Sequence, residues 1–392
     1  MKHKIVFCAL AVLGLFLASF KQSCMGETAI QKTLRLPPKK GNPRNGSGDF
    51  VQLKDGRLLY VYTHFTGGSD DHATAHLAGR YSSDGGVTWT KKDITIVKNE
   101  GKRNVMSVSL LRLRNGTIAM FYLRKHSLKD CRPVVRFSVD EAATWSKPQQ
   151  IIPDSEISYY VLNNDRVVQL KSGRILAPVS RHDCPQGRWT KASSYGTIMC
   201  YFSDDNGRSW NCSRTKQDGS PKKGIKGEQV MLQEPGVVEL KNGRLMMFCR
   251  TESGSQFLSY SSDQGVSWEP FKSSNIISPR SPASIERIPN NGDLVLVWNN
   301  HKNIAPNLKG KRTPFCVALS RDEGATWKNL KVVEDNPHGW YCYTAIHFVG
   351  DYVLLSHTAG DRRRNNGLAV TQITRFPVKW LYTDSTGNKN RK

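Results

Sequence analysis

The chain has 392 residues, 38% of them hydrophobic, with 32 glycines and 18 prolines; this is a globular composition rich in turns, long enough for one large repeat domain or two ordinary ones. The formal charge of +24 favours acidic partners such as anionic sugars or anionic surfaces. The basic residues are scattered, and no single module interleaves them with aromatics, so nucleic acid is not an expected partner.

Taken in chain order, the first feature is "MKHKIVFCALAVLGLFLASFKQSCMGET", in which two lysines precede an apolar run from Ile5 to Phe20. The run is short for a membrane span and has the flanks of a secretory signal over residues 1–26, cut near Gly26; an uncleaved anchor is the alternative. The expectation is an exported protein, periplasmic, extracellular or cell-surface, with no stable membrane insertion once the signal is gone. Seven cysteines follow: Cys131, Cys184, Cys200, Cys212, Cys249, Cys316 and Cys342. None has zinc-like spacing; one or two disulfides are allowed, and buried thiols in apolar strands are the plainer reading.

From residue 31 to 385 the chain is expected to be one repeat domain, because two motifs alternate along it. The hairpin-like "LKDGRLLYVY" (53–62) is followed by "YSSDGGVTWT" (81–90), and "LRNGTIAMFY" (113–122) by "FSVDEAATWS" (137–146). Next come "LKSGRILAPV" (170–179) with "FSDDNGRSWN" (202–211), and "LKNGRLMMFC" (240–249) with "YSSDQGVSWE" (260–269). "IPNNGDLVLVW" (288–298) precedes "LSRDEGATWK" (319–328), and "FVGDYVLLSH" (348–357) stands alone.

The first motif reads as a hairpin with a type I′-like turn. The second fits Ser-x-Asp-x-Gly-x-Thr/Ser-Trp, with Ala142 in place of one glycine, and its aspartates lie roughly 60 residues apart. In such a turn aspartate accepts bonds from its own loop, glycine tolerates positive φ, and tryptophan packs against neighbouring apolar surface. These turns are expected to be staples of the fold rather than sites of chemistry. Six hairpins without long helical patterns predict an all-β fold, a six-bladed β-propeller with four-stranded antiparallel blades. The final strand near "NNGLAVTQITRF" (365–376) and the first after Gln31 are expected to share a blade and close the ring.

The tryptophan turns resemble the Asp-box, or BNR, repeats of the sialidase (neuraminidase) superfamily, and the resemblance covers nearly the whole chain after the signal. It implies an exo-glycosidase acting with retention on terminal sialic acid or a related acidic sugar. Such a substrate carries a carboxylate on its anomeric carbon, which calls for clustered guanidinium groups and a tyrosine nucleophile activated by glutamate, with an aspartic acid to protonate the leaving oxygen.

"QEPGVVELKNGRLMMFCR" resembles the segment that supplies this glutamate and an arginine, here Glu234 and Arg250. "GKRTPFCVALSRDEGATW" resembles the segment carrying the last arginine of the triad, Arg312, with Lys311 beside it. "GWYCYTAIHF" resembles the tyrosine segment and implies Tyr343 as nucleophile, with Tyr341 as the alternative. "GGSDDHATAHLAGR" offers Asp71 or Asp70 as acid and base, the adjacent aspartate being a means of raising the pKa of its neighbour. The first triad arginine is matched only by Arg44, without the usual Ile-Pro after it, and Asp361 is the candidate for its acidic support. In "VLNNDRVVQLKSGR", Asn164 and Arg166 are candidates for reading sugar hydroxyls, a turn cap being the alternative. No metal or organic cofactor is implied, and the protein is expected to act as a monomer on a glycan or glycoconjugate. The Asp-box repeat also occurs in propellers without catalytic activity, so a glycan-binding protein and a hydrolase for another sugar stand beside the sialidase reading.

Overall fold

A computed structural model describes residues 29–220 and 229–383. The secretory-signal expectation for residues 1–26, and the last two residues of the expected 31–385 domain, lie outside them. Among the described residues no helix is long and apolar enough to cross a membrane.

The continuous apolar runs explain the architecture. Successive side chains of a strand point to opposite faces, so an unbroken apolar run must be covered on both. Leu58–Phe65 sends Leu59 and Val61 into one core with Met120 and Val134, and Leu58 and Tyr60 into another with Leu354 and Ile373. Leu245–Arg250 does the same, with Leu245 and Met247 in one cluster and Met246 and Phe248 in the next. Leu294–Asn299 divides Leu296 and Trp298 from Val295 and Val297. Each such strand is the middle of a sheet sandwiched between two others, and the sheets follow one another around a ring. The fold is an all-β propeller, as the repeats predict.

Four sheets have four strands each. The first runs Arg44–Gln52, Leu58–Phe65, Ala75–Ser82, Ile94–Val97. Two others begin at Gln233–Glu239 and Ser284–Arg287. The fourth joins Ala345–Val349, Tyr352–Thr358 and Thr371–Pro377 to the N-terminal strand Gln31–Leu36, which pairs from Gln31↔Arg375 to Leu36↔Thr371. That pairing closes the ring as expected. Residues between 104 and 218 form a ten-stranded sheet, in which a single parallel pairing, Tyr159↔Cys131, joins two antiparallel portions.

The Asp-box turns are staples, by the geometry their composition implies. In the first, Asp84 Oδ1 accepts from Thr88 N at 2.9 Å and Ser82 Oγ at 2.8 Å, while Ser82 Oγ accepts from Gly86 N at 2.9 Å. The same bonds recur around Asp205, Asp263 and Asp322. Ala142 takes the left-handed φ of 66° that glycine adopts in the other boxes, and packs into a core. The hairpin turns differ from expectation. Gly56 has φ 86° while Asp55 is not left-handed, and Gly56 N donates to Leu53 O. A type I′ turn needs positive φ at both central residues; a type I turn followed by one left-handed glycine needs it only at the last, which is where the first five hairpin sequences place their glycine, while Gly350 is the first of the two residues between Val349 and Tyr352. The seven cysteines among the described residues are free thiols, and five of them are buried.

Candidate active site

The antiparallel pairing of the inner two strands of each sheet decides which residues share a rim. The hairpin turn joins them at one end; at the other, the first residue of the inner strand faces the last of its neighbour. Arg44 thus pairs with Phe65, Asn104 with Lys125, and Gln233 with Arg250. These ends, with Asp71 and Tyr343, surround a cavity of about 360 Å³.

On one side of it Glu234 links two groups through the same oxygen. Tyr343 Oη donates to Glu234 Oε1 at 3.2 Å, and Arg250 Nη1 lies 2.7 Å from that oxygen. Glu234 Oε2 is buried without a hydrogen-bond partner in the protein. Both Glu234 (φ 53°) and Tyr343 (φ 57°) have left-handed backbones, which cost roughly 1–3 kcal/mol each in non-glycine residues and gather at functional sites. For Glu234 the cause is visible: the register shifts between Gln233 and Gly236, and such a bulge re-aims a side chain.

Gly236, directly opposite Phe248, leaves room for that ring; a β-carbon there would sit 2.3 Å from Phe248 Cζ. Phe248 is only 2% exposed and has nowhere to go. Gly236→Ala is therefore expected to destabilise the fold by about 1–3 kcal/mol, read as a lower urea midpoint at unchanged slope.

Electrostatics separate the two members of the pair. Burial alone would raise the pKa of Glu234, but Arg250, Arg312 and Arg166 outweigh it and hold the carboxyl below its ordinary value. Tyr343 is pushed up to about 12 by burial and by the Glu234 charge, against the pull of Arg312 and Arg250. A carboxylate is thus held beside a protonated phenol, the arrangement a general base and its nucleophile require.

Across the cavity, Arg44 stacks over Phe65 at 4.5 Å and donates Nη1 to Asp71 Oδ1 at 2.7 Å. Asp71 is carried by the loop between Phe65 and Ala75, pinned from below by Asn104 Nδ2 and Lys125 Nζ on the Asp71 carbonyl at 3.0 and 2.7 Å. Burial raises the Asp71 pKa, yet the charges of Arg44 and Lys125 prevail and lower it. Asp70, exposed as Asp71 also is, does not line the cavity and turns its carboxylate back to the His72 amide at 2.8 Å. The expectation that one aspartate raises the pKa of the other gives way to an arginine that lowers it. Asp361 pairs with Arg363 at 2.6 Å rather than with Arg44, whose acidic partner is Asp71.

Three other expected residues stand behind the cavity wall. Arg312 lies 5.4 Å from the ring centres of both Tyr343 and Trp340 and donates to Cys342 Sγ at 2.8 Å. Asn164 and Arg166 do not read the cavity: Asn164 is fully buried and donates to the carbonyls of Gly48 and Tyr343, while Arg166 donates to Ser284 Oγ and Ala283 O. The Asn164 amide and both Arg166 terminal nitrogens are engaged by the protein, and Arg166 Nε is buried without a hydrogen-bond partner. Tyr341 is buried in a core cluster, where it stacks on Phe315.

Lys125, Tyr159, His182 and Trp189 line the cavity and were not expected from sequence. Lys125 and His182 had a signal, since each closes the second strand of its hairpin as Arg250 does. Among the described residues no group of three His, Cys, Asp or Glu side chains could hold a metal ion.

Comparison with known proteins places the chain among relatives of like architecture. It is 24% identical over 375 residues to a sialidase of Micromonospora viridifaciens, covering 86% of this chain and 54% of that protein, so the chain spans about half that relative's length. The solved Hadza microbial sialidase Hz136 superposes with a TM-score of 0.68 at 16% identity over 86% of this chain and 66% of the other. The Trypanosoma rangeli sialidase gives 0.64 at 14% identity over 90% and 59%. At such identities the likeness is one of fold. The BNR repeat-like domain matches residues 65–355, well over half of the sequence, and the chain therefore belongs to the BNR repeat-like domain family.

Proposed function

We propose that the protein is an exported exo-glycosidase of sialidase type, which removes terminal sialic acid or a related acidic sugar from glycoconjugates with retention and acts as a monomer. Splitting the ten-stranded sheet at its lone parallel pairing gives the six blades of that reading. The observation that carries it is the Tyr343–Glu234–Arg250 relay sharing one cavity with Asp71 and Arg44. The relatives named above are sialidases, and one of those solved, from Trypanosoma rangeli, is in complex with sialic acid.

In this scheme the sugar carboxylate lies between Arg44 and Arg250, with Arg312 adding positive potential from behind Tyr343. A phenol suits such a substrate because a carboxylate nucleophile would be repelled by the sugar's own charge. Tyr343 Oη attacks the anomeric carbon as Glu234 takes its proton, and Asp71 gives a proton to the departing oxygen. Water then attacks the glycosyl-tyrosine with Asp71 as base, and two inversions give retention.

The test is sugar release by the purified chain from sialosides, run beside sulfated and uronic-acid glycans. Free sialic acid is the expected product. Arg44, Arg250 and Arg280 line the cavity while Arg312 stands outside its lining, so a hydrolase for another acidic sugar is the second reading, and release from the other glycans alone would select it. Binding of sialosides without release of any sugar would instead mark a glycan-binding propeller.

A further inference from the structure

Three consecutive residues on one inner edge, Asn164, Asp165 and Arg166, reach across to the backbone that leaves Tyr343. Asn164 Nδ2 donates to the Tyr343 carbonyl at 3.1 Å and to Gly48 O in the first sheet at 3.2 Å. Asp165 Oδ2 accepts from Ile346 N at 2.8 Å, three residues after Tyr343. Arg166 Nη1 donates to Ser284 Oγ at 3.2 Å, and that hydroxyl donates onward to Thr344 O at 2.7 Å. The Tyr343 carbonyl, the Thr344 carbonyl and the Ile346 amide are thus all held, directly or through one serine, by a segment about 180 residues away in sequence. Asn164 and Arg166 are buried, Asn164 completely, and Asp165 is partly buried. Asp165 itself has a left-handed φ of 54°, which turns its carboxylate toward this backbone.

We propose that Asn164, Asp165 and Arg166 are positioning residues for Tyr343, fixing from a different sheet the left-handed backbone that aims its phenol at Glu234; this rests on the nucleophilic role given to Tyr343 above. The phenol itself touches Arg312 and Glu234, and neither contact sets the backbone; within its own sheet, Thr358 holds the amide and carbonyl of Cys342 just before it. A turn cap would hold its own loop. Here the bonds run to three other parts of the ring, and they converge on the one tyrosine whose orientation the chemistry needs.

The experiment combines kinetics with structure for Asn164→Leu, Asp165→Ala and Asp165→Asn in the full chain. Asn164→Leu, similar in volume but without donors, is expected to lower kcat on an aryl sialoside about 10–100-fold, with KM within about threefold of the parent. Asp165→Ala should behave alike, while Asp165→Asn, which keeps an oxygen for the Ile346 amide, should recover most of the rate. A crystal structure of Asn164→Leu should show Tyr343 out of the left-handed region and its hydroxyl beyond reach of Glu234.

An unchanged kcat, a rise in KM alone, or a Tyr343 that stays in place would overturn the proposal. If Asn164→Leu does not accumulate as soluble protein, Asn164→Asp keeps the shape, loses the donors and is read the same way. Failure of the parent protein to turn over any sialoside would overturn the catalytic reading instead. The variant's Tyr343 backbone then decides the tether by itself, an unmoved tyrosine counting against it.

Discussion

Tyr343→Phe is expected to lower kcat on an aryl sialoside by about 10³-fold or more, in a protein that folds as before. The substitution removes one oxygen and nothing else: the ring beneath Arg312 and the backbone held by Asn164 remain. Without the phenol no covalent intermediate can form, and the residual rate is what binding and charge stabilisation supply by themselves.

Glu234→Gln should cost about 10²–10⁴ in kcat, because the amide cannot take the proton that Tyr343 gives up. It should also lower stability, as Arg250, which paired with the carboxylate, is left facing a neutral group. Breaking one partner of a buried ion pair costs about 3–5 kcal/mol, so thermal unfolding must be recorded beside the rates. The double variant should be hardly slower than the worse single one, since the two groups act as a unit. Near-parental turnover by Tyr343→Phe would remove the mechanism.

The parts legible in the sequence are those fixed by local chemistry. Five Ser-x-Asp-x-Gly/Ala-x-Thr/Ser-Trp turns name their own hydrogen bonds, and apolar runs such as "LMMFC" announce strands covered on both faces. Glu234, Arg250 and Tyr343 were found through their motifs. What stayed hidden depends on which distant segments meet. Nothing local says that Asn164 will bond to a residue 179 positions later, or that Arg166 will turn away from the cavity toward Ser284. The pairing of Asp71 with Arg44 needs a loop and a strand end to meet, so the sequence favoured Asp71 over Asp70 only slightly, for its continuation into the strand. Lys125 was missed for a different reason. A charge closes its apolar strand as Arg250 closes another, but no motif accompanies it two sheet portions earlier.

Asp71→Ala should separate substrates by leaving group. With a sugar as leaving group, the loss of a general acid is expected to cost about 10²–10⁴ in rate, and with an activated aryl group far less, because a stable phenolate departs without help. Substrate charge reconciles the free protein with this role. Arg44 and Lys125 lower the Asp71 pKa against the effect of burial, so in the empty cavity the carboxyl is ionised at neutral pH. A bound sugar carboxylate takes Arg44 for itself and adds a second negative charge near Asp71. Both changes favour the protonated acid. A general acid loses activity as pH rises through its pKa, and kcat/KM reports the free enzyme whereas kcat reports the complex. The alkaline limb of kcat is therefore expected at higher pH than that of kcat/KM, and Asp71→Ala should abolish the limb in both. Coincident limbs, together with equal losses on the two kinds of leaving group, would show that Asp71 does not supply the proton. Substrate charge would in that case have no part in arming the acid, and the Arg44–Asp71 pair would be a loop anchor.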